Sequence, residues 1–110
     1  MRVVENGESF DIVSYHGDYG IPVAFTAKTE DGWNEGDMVV FAVENNIIPA
    51  KTWTVSGDNF IFELKFTKEE AERLAVSRYD YSFKQHRDGQ YLDTIMNGEI
   101  KIKDTTLWQN

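Results

Sequence analysis

The sequence contains no cysteine, and this absence excludes disulfide bonds, thiolate nucleophiles and cysteine-based zinc sites. No stretch approaches the roughly 20 consecutive apolar residues that a membrane-spanning helix needs. The first ten residues carry Glu5 and Glu8 and lack the apolar segment of a signal peptide. We therefore expect a chain that is made in the cytoplasm and does not enter a membrane.

Basic residues are also scarce, with 11 Lys and Arg against 19 Asp and Glu and a net charge of −8. Binding to nucleic acid needs clustered cationic side chains that contact phosphates, and anionic membrane surfaces attract the same clusters. The sequence thus predicts neither kind of partner. The acidic residues alternate with lysines instead of forming runs, which favours a solubilising role over mimicry of DNA.

Residue patterns typical of catalysis or metal binding are missing. The two histidines, His16 and His86, have no partner at metal-ligand spacing, and there is no nucleophile elbow, P-loop or GxGxxG motif. Five aspartates lie near predicted turns, and calcium is the metal that such carboxylates suit best. The simpler explanation is that aspartate is favoured in turns, where its side chain bonds to the local backbone. We expect no catalytic residue, no cofactor and no metal, and therefore a protein that is not an enzyme.

What the sequence does contain is strand signals. A length of 110 residues suits one domain, residues 1–110, and the aromatic content of 14% suits pleated strands. Alternating or short apolar runs recur at even spacing and predict seven or eight strands, the main ones at residues 10–15, 21–27, 38–43, 51–55, 60–66, 79–84, 91–96 and 99–103. Such spacing suggests a β-sandwich or a small barrel, and we predict a mainly all-β fold, an antiparallel β-sandwich of these strands.

The segment from Phe60 to Leu74 has the most specific local pattern. Phe60, Phe62, Leu64 and Phe66 share one face of a strand, and a slip of one residue would bury Glu63 instead. Thr67 and Glu70 then have the spacing of a capping box, which predicts one short helix near residues 67–76 that docks through Leu74.

Two dipeptides predict hairpin turns near the C-terminal end. Asp88-Gly89 and Asn97-Gly98 both suit the positive φ angles of a type I′ turn. With a turn at each position, the last three strands are expected to form a meander.

Aromatic residues in two early loops suggest a binding surface. Tyr15, His16, Tyr19 and Trp33 form an aromatic patch if those two loops lie together. The alternative is that Trp33 folds back as a lid on the core, because tryptophan is usually well buried.

The ordered motifs between Gly36 and Thr106 resemble a phage structural domain. Gly36-Asp37 precedes the apolar strand 38–43, and a Phe-Ile-Leu strand, residues 60–64, and the Tyr79-Asp80-Tyr81 strand follow. The pattern closes with Asp88-Gly89, Thr94-Ile95, Gly98, Ile100-Lys101-Ile102 and Thr105-Thr106. This order is similar to the N-terminal domain of baseplate upper proteins in phages of Gram-positive bacteria, although Ser77-Arg78 stands where that family usually has a glycine.

The resemblance implies an immunoglobulin-like sandwich that binds other phage tail or baseplate proteins without catalysis. It implies a place in the virion after synthesis in the bacterial host, with self-association in a symmetric assembly as a further expectation. The resemblance transfers no functional residue. A carbohydrate-binding or receptor-binding module is the main alternative, and a small enzyme and an acidic inhibitor of a host enzyme are two others.

Overall fold

A computed structural model describes residues 1–26, 32–56 and 61–104 of the chain. The predicted turns at residues 29–32 and 56–59, together with Phe60, Thr105-Thr106 and Trp108, lie wholly or partly outside this range. The elements in chain order are β1 (Arg2–Asn6), β2 (Ser9–Tyr15), β3 (Val23–Thr26), β4 (Met38–Val43), a 3-10 turn (Glu44–Asn46), β5 (Lys51–Thr54), β6 (Ile61–Leu64), α1 (Lys68–Arg73), β7 (Ser77–Arg87) and β8 (Gln90–Lys103).

Within these described ranges the strands form two sheets. One has six strands in the order β1-β2-β8-β7-β4-β5, and the other consists of β3 and β6. The prediction of a mainly β fold with one short helix is confirmed. The prediction of a purely antiparallel arrangement is wrong for one pair, because β2 runs parallel to β8 with Ile12 opposite Ile100. The six-stranded sheet is therefore mixed.

Aromatic rings join the two sheets. Phe25 on β3 and Phe62 on β6 lie 5.0 and 5.1 Å from the ring of Phe83 on β7, measured between centroids. Phe62 also lies 4.8 Å from Trp53 on β5. Phe41 lies 4.9 Å from Phe83, and both rings are fully buried. This cluster of aromatic rings therefore forms the centre of the core.

The segment after residue 60 folds largely as its pattern predicts. Phe62, Leu64 and Phe66 are buried, whereas Ile61 on the opposite face is 64% exposed. The predicted capping box is present: the Glu70 N–H donates to Thr67 Oγ1, and the Thr67 N–H donates to Glu70 Oε1. The helix is shorter than predicted and ends at Arg73. No helix within the described ranges is long and apolar enough to cross a membrane.

The two predicted hairpin turns have different outcomes. Asp88 and Gly89 have φ angles of 54° and 76°, so the type I′ turn between β7 and β8 is confirmed. The prediction of a turn at Asn97-Gly98 is wrong, because β8 continues through both residues and the expected meander of three strands does not form. A Cβ atom at Gly98 would lie 2.8 Å from the carbonyl carbon of Phe10, so the glycine here allows two backbones to approach.

The N-terminal hairpin was not expected from the sequence. β1 pairs antiparallel with β2, from Arg2 opposite Val13 to Asn6 opposite Ser9, with Gly7 in the turn at a φ of 64°. Val3 packs against the core from this outer strand. The hairpin places β2 beside β8, and this pairing positions the surface residues that follow β2.

Candidate functional site

Three of the four predicted surface residues lie together at one end of the six-stranded sheet. Tyr15 is the last residue of β2 and pairs with Lys103, and the His16 N–H donates to the Lys103 carbonyl at 2.9 Å. The Asp18 N–H donates back to the Tyr15 carbonyl at 3.1 Å, so the chain turns tightly before Tyr19. Tyr15 is 37% exposed and Tyr19 is 53% exposed.

The imidazole of His16 has a defined partner. Its Nδ1 lies 2.9 Å from the backbone carbonyl oxygen of Leu74, just after α1. A carbonyl only accepts hydrogen bonds, so Nδ1 carries the proton and donates it to this contact. His16 therefore ties the loop after β2 to the segment between α1 and β7, and its role in this structure is positional.

Two exposed aliphatic residues extend the same surface. Ile21 is 65% exposed and lines a small cleft with Tyr19 and Phe66, next to the hydrogen bond from the Gly20 N–H to the Phe66 carbonyl. Val76 is 52% exposed and directly precedes Ser77, which pairs with Ile102 on β8. We call the group Tyr15, Tyr19, Ile21 and Val76 the end patch.

Trp33 lies near the other end of β7. The carbonyl oxygen of the preceding residue, Gly32, accepts hydrogen bonds from Gln85 Nε2 at 3.0 Å and from Arg87 Nη2 at 3.3 Å. Val76 lies just before the first residue of β7, and Arg87 is the last residue of that strand. Because eleven strand residues span about 33 Å, the two ends of β7 are far apart. The fold thus brings Tyr15, His16 and Tyr19 together and places Trp33 apart from them. Trp33 is half-buried and packs against the core, as the alternative interpretation expected.

A buried carboxylate holds the Trp33 loop in place. Arg87 Nε donates to Asp37 Oδ1 at 3.0 Å and Arg87 Nη2 donates to Oδ2 at 2.9 Å. Gln85 Nε2 and the backbone N–H of Asn34 also donate to Oδ2, at 3.0 and 2.9 Å. The Arg87 guanidinium, aided by the other two donors, lowers the pKa of Asp37 from 3.8 to about 2 although burial opposes this. A carboxylate saturated in this way is a structural anchor.

The other shifted ionisable groups also join elements of the fold. Lys101 lies 3.0 Å from Asp11 on the neighbouring strand and lowers the pKa of that carboxyl, against the effect of burial. Burial raises the pKa of Glu70, but Lys51 at 2.7 Å and the backbone of Thr67 outweigh it, so the net shift is downward. Burial raises the pKa of Tyr81, whose hydroxyl donates to the Phe10 carbonyl.

The face of the six-stranded sheet that points away from the small sheet carries a groove that was not predicted from the sequence. Between the buried positions of β4, β7 and β8, the alternate residues point outward and line a shallow groove of about 600 Å³, mainly Ala42, Glu44, Asp80, Ser82, Lys84 and Asn97. Tyr91, 57% exposed, stands near Lys84, whose Nζ lies 5.4 Å from the ring centroid. The signal available in the sequence was weak, because small polar residues on a strand face are common.

Metal-binding geometry is not apparent in the described part of the chain, which contains no group of three His, Asp or Glu side chains arranged to hold an ion. Of the turn aspartates, Asp37 is bound to Arg87, whereas Asp31 and Asp58 lie outside the described residues. Neither a protein-family model nor a curated protein matches this sequence.

Proposed function

We propose that this domain is a structural component of a phage or prophage tail or baseplate, and that it acts through protein–protein contacts without catalysis. The observation that carries the proposal is the end patch, where Tyr15, Tyr19, Ile21 and Val76 expose apolar surface at one end of the six-stranded sheet and in the loop that follows β2. Exposed apolar groups that cluster in this way mark contact sites, and tyrosine is among the residues that most often dominate binding energy.

The absence of catalysis is supported by how the ionisable groups are used. The three carboxylates with lowered pKa values, Asp11, Asp37 and Glu70, each accept hydrogen bonds from a lysine or arginine on another element. A lowered pKa keeps each carboxylate ionised and weakly basic near neutral pH, which disfavours a role as a general acid or base. Their effect is to fix the sheet and the loops that present the surface.

The immunoglobulin-like sandwich belongs to the same proposal. It is supported by the ring contacts between the two sheets, in particular those of Phe25 and Phe62 with Phe83. The ordered resemblance between Gly36 and Thr106 supports a location in the virion and partners among other tail or baseplate proteins. Symmetric self-association fits a multi-copy assembly of that kind.

Mass spectrometry of particles purified after prophage induction, from the bacterium that encodes the chain, tests the proposal. We expect the wild-type protein in stoichiometric amounts in the particles. Replacing Tyr19 by Ala together with Ile21 by Ser should remove it from particles while the purified variant stays folded. Tyr91→Ala, which truncates a tyrosine of similar exposure elsewhere, is the matched control. Absence of the wild-type protein from particles, with abundant protein in the lysate, would refute the virion role.

A further inference from the structure

The two sheets of the domain differ greatly in width. At a spacing of about 4.8 Å, six strands span roughly 24 Å between the outermost strands, whereas two strands span about 5 Å. The small sheet therefore covers only part of the large one.

Ring contacts show which part is covered. Phe62 on β6 contacts Trp53 on β5, and Phe25 on β3 contacts Phe83 on β7. In the order β1-β2-β8-β7-β4-β5, this places β6 toward β5 and β3 toward β8. The edge of β3 that faces away from β6 consequently faces the half of the large sheet formed by β8, β2 and β1.

An apolar groove of about 380 Å³ lies along that edge. Its walls come from six strands of the two sheets, chiefly from β1, β2, β3 and β8 through Val3, Phe10, Phe25, Thr26, Ile95 and Met96. Val3, Phe10, Ile95 and Met96 remain only half-buried, although their side chains face the core side of the sheet. The groove is thus a stretch of inner surface that the described residues leave open.

The edge of β3 offers main-chain hydrogen bonds beside this groove. Within the described ranges, β3 pairs with β6 alone, from Val23 opposite Leu64 to Thr26 opposite Ile61. In an antiparallel pair, alternate residues direct their N–H and C=O groups away from the partner strand. About two of the four residues of β3 therefore present such groups toward the groove, which is the arrangement that accepts an added strand.

The charges around the groove restrict the partner. The groove itself has no charged lining residue. The exposed Glu5 lies opposite the groove residue Phe10 on the neighbouring strand, and the exposed Glu63 on β6 lies opposite Ala24 within the small sheet. With a net charge of −8 on the chain as well, a segment that carries lysine or arginine is favoured over an acidic one.

We propose that β3 accepts an extended segment of a partner protein as a third strand of the small sheet, with apolar side chains in the groove alternating with basic ones outside it. The proposal rests on the proposed function only in making the domain a protein-binding one. Its test uses purified protein and peptides, so its outcome is separate from the particle experiment.

Panning the wild-type protein against a displayed library of random twelve-residue peptides provides the probe. We expect enriched peptides that alternate apolar and basic residues. The best one, synthesised with a fluorescent label, should slow amide hydrogen exchange at β3, residues 23–26, measured by NMR. Exchange in β5 (Lys51–Thr54), a four-residue strand at the edge of the large sheet, should be unchanged and is the internal control.

Paired variants locate the site. Val3→Lys places a charge in the groove, and Val4→Lys makes the same change one residue later on the opposite face of β1. If Val3→Lys does not fold, Thr26→Lys, at an exposed groove position, replaces it, with Thr54→Lys on β5 as its control. We expect groove variants to raise the peptide Kd at least tenfold in fluorescence anisotropy, and controls to leave it within twofold.

Four results would overturn the proposal. They are the enrichment of no peptide, a Kd that the groove variants leave unchanged, and protection at β5 in place of β3. The fourth is a wild-type dimer, seen by sedimentation velocity, that Val3→Lys or Thr26→Lys dissociates, because a second copy of the chain would then be the occupant. If an apolar dye binds to the groove but no peptide is enriched, the proposal is overturned as in the first result, and the groove is assigned to small molecules.

Discussion

Arg87, at the end of β7, donates two parallel hydrogen bonds to Asp37, the residue that immediately precedes β4. The carboxylate is almost fully buried, whereas the guanidinium keeps part of its surface in water. The pair connects two neighbouring strands at the point where the loop with Trp33 returns to the sheet. This relationship gives the first two predictions.

Asp37→Asn should destabilise the protein by about 2 kcal/mol. The asparagine amide retains some hydrogen bonding but lacks the negative charge, and the ion pair with Arg87 is lost. Urea denaturation at pH 7, followed by tryptophan fluorescence, measures the change. Asp18→Asn, at an exposed turn position, is the matched control and should change stability by less than about 0.5 kcal/mol. Equal effects of the two substitutions would contradict the structural role of the Asp37 pair.

The Asp37 carboxyl should also make stability depend on pH. Its pKa is lowered to about 2, so the stabilisation is fully present above pH 4 and is lost as the pH falls toward 2. A shift from 3.8 to about 2 corresponds to roughly 2 kcal/mol. Unfolding free energies measured between pH 6 and pH 2 should therefore fall more steeply in the wild type than in Asp37→Asn. Parallel curves for the two proteins would show that other carboxyls account for the acid sensitivity.

Gly98→Ala should be among the most damaging single substitutions in β8. The added methyl group would overlap the backbone of Phe10, and relief requires the N-terminal hairpin to move away from β8. We expect a loss of about 3 kcal/mol or more, measured by thermal unfolding. Asn97→Ala, the exposed neighbouring position, should cost less than about 1 kcal/mol. A mild effect at Gly98 would mean that the two backbones separate easily.

Thr67→Ala should remove the cap of α1. The Glu70 N–H loses its acceptor, and the expected cost is about 1 kcal/mol. Thr54→Ala, at an exposed strand position, is the control for loss of a threonine and should cost only a few tenths of that amount. Chemical denaturation of both variants checks the difference. No loss in Thr67→Ala would indicate that Lys51 and the backbone N–H of residue 67 hold Glu70 and the helix start in place without the hydroxyl.

Features whose cause is local were predictable from the sequence. The alternation around Phe62 specifies which face is buried, Asp88-Gly89 supplies the positive φ angles of its turn, and Thr67 with Glu70 forms the cap that their spacing predicts. Each depends on residues a few positions apart. These three features could therefore be predicted without knowing the rest of the fold.

Features whose cause is a distant contact were not predictable. Asn97-Gly98 is a dipeptide typical of turns, but Gly98 is needed because the backbone of Phe10, far away in the sequence, lies close to it. The strand order decides that Trp33 lies away from Tyr19, and no local pattern encodes that order. Ile21 and Val76 were missed as surface residues because isolated aliphatic residues in a sequence give no indication of exposure.

The parallel pairing of β2 with β8 has a consequence for folding on the ribosome. Asp11 and Glu99 are linked by a hydrogen bond although they are 88 positions apart. The hairpin of β1 and β2 is synthesised long before β8, so the inner edge of β2 stays unpaired until β8 has also been made. Contacts of such high sequence separation slow folding, because a long loop must close before they form. During that interval the nascent hairpin exposes Ile12 and an unpaired edge, the condition in which strands of neighbouring chains associate wrongly.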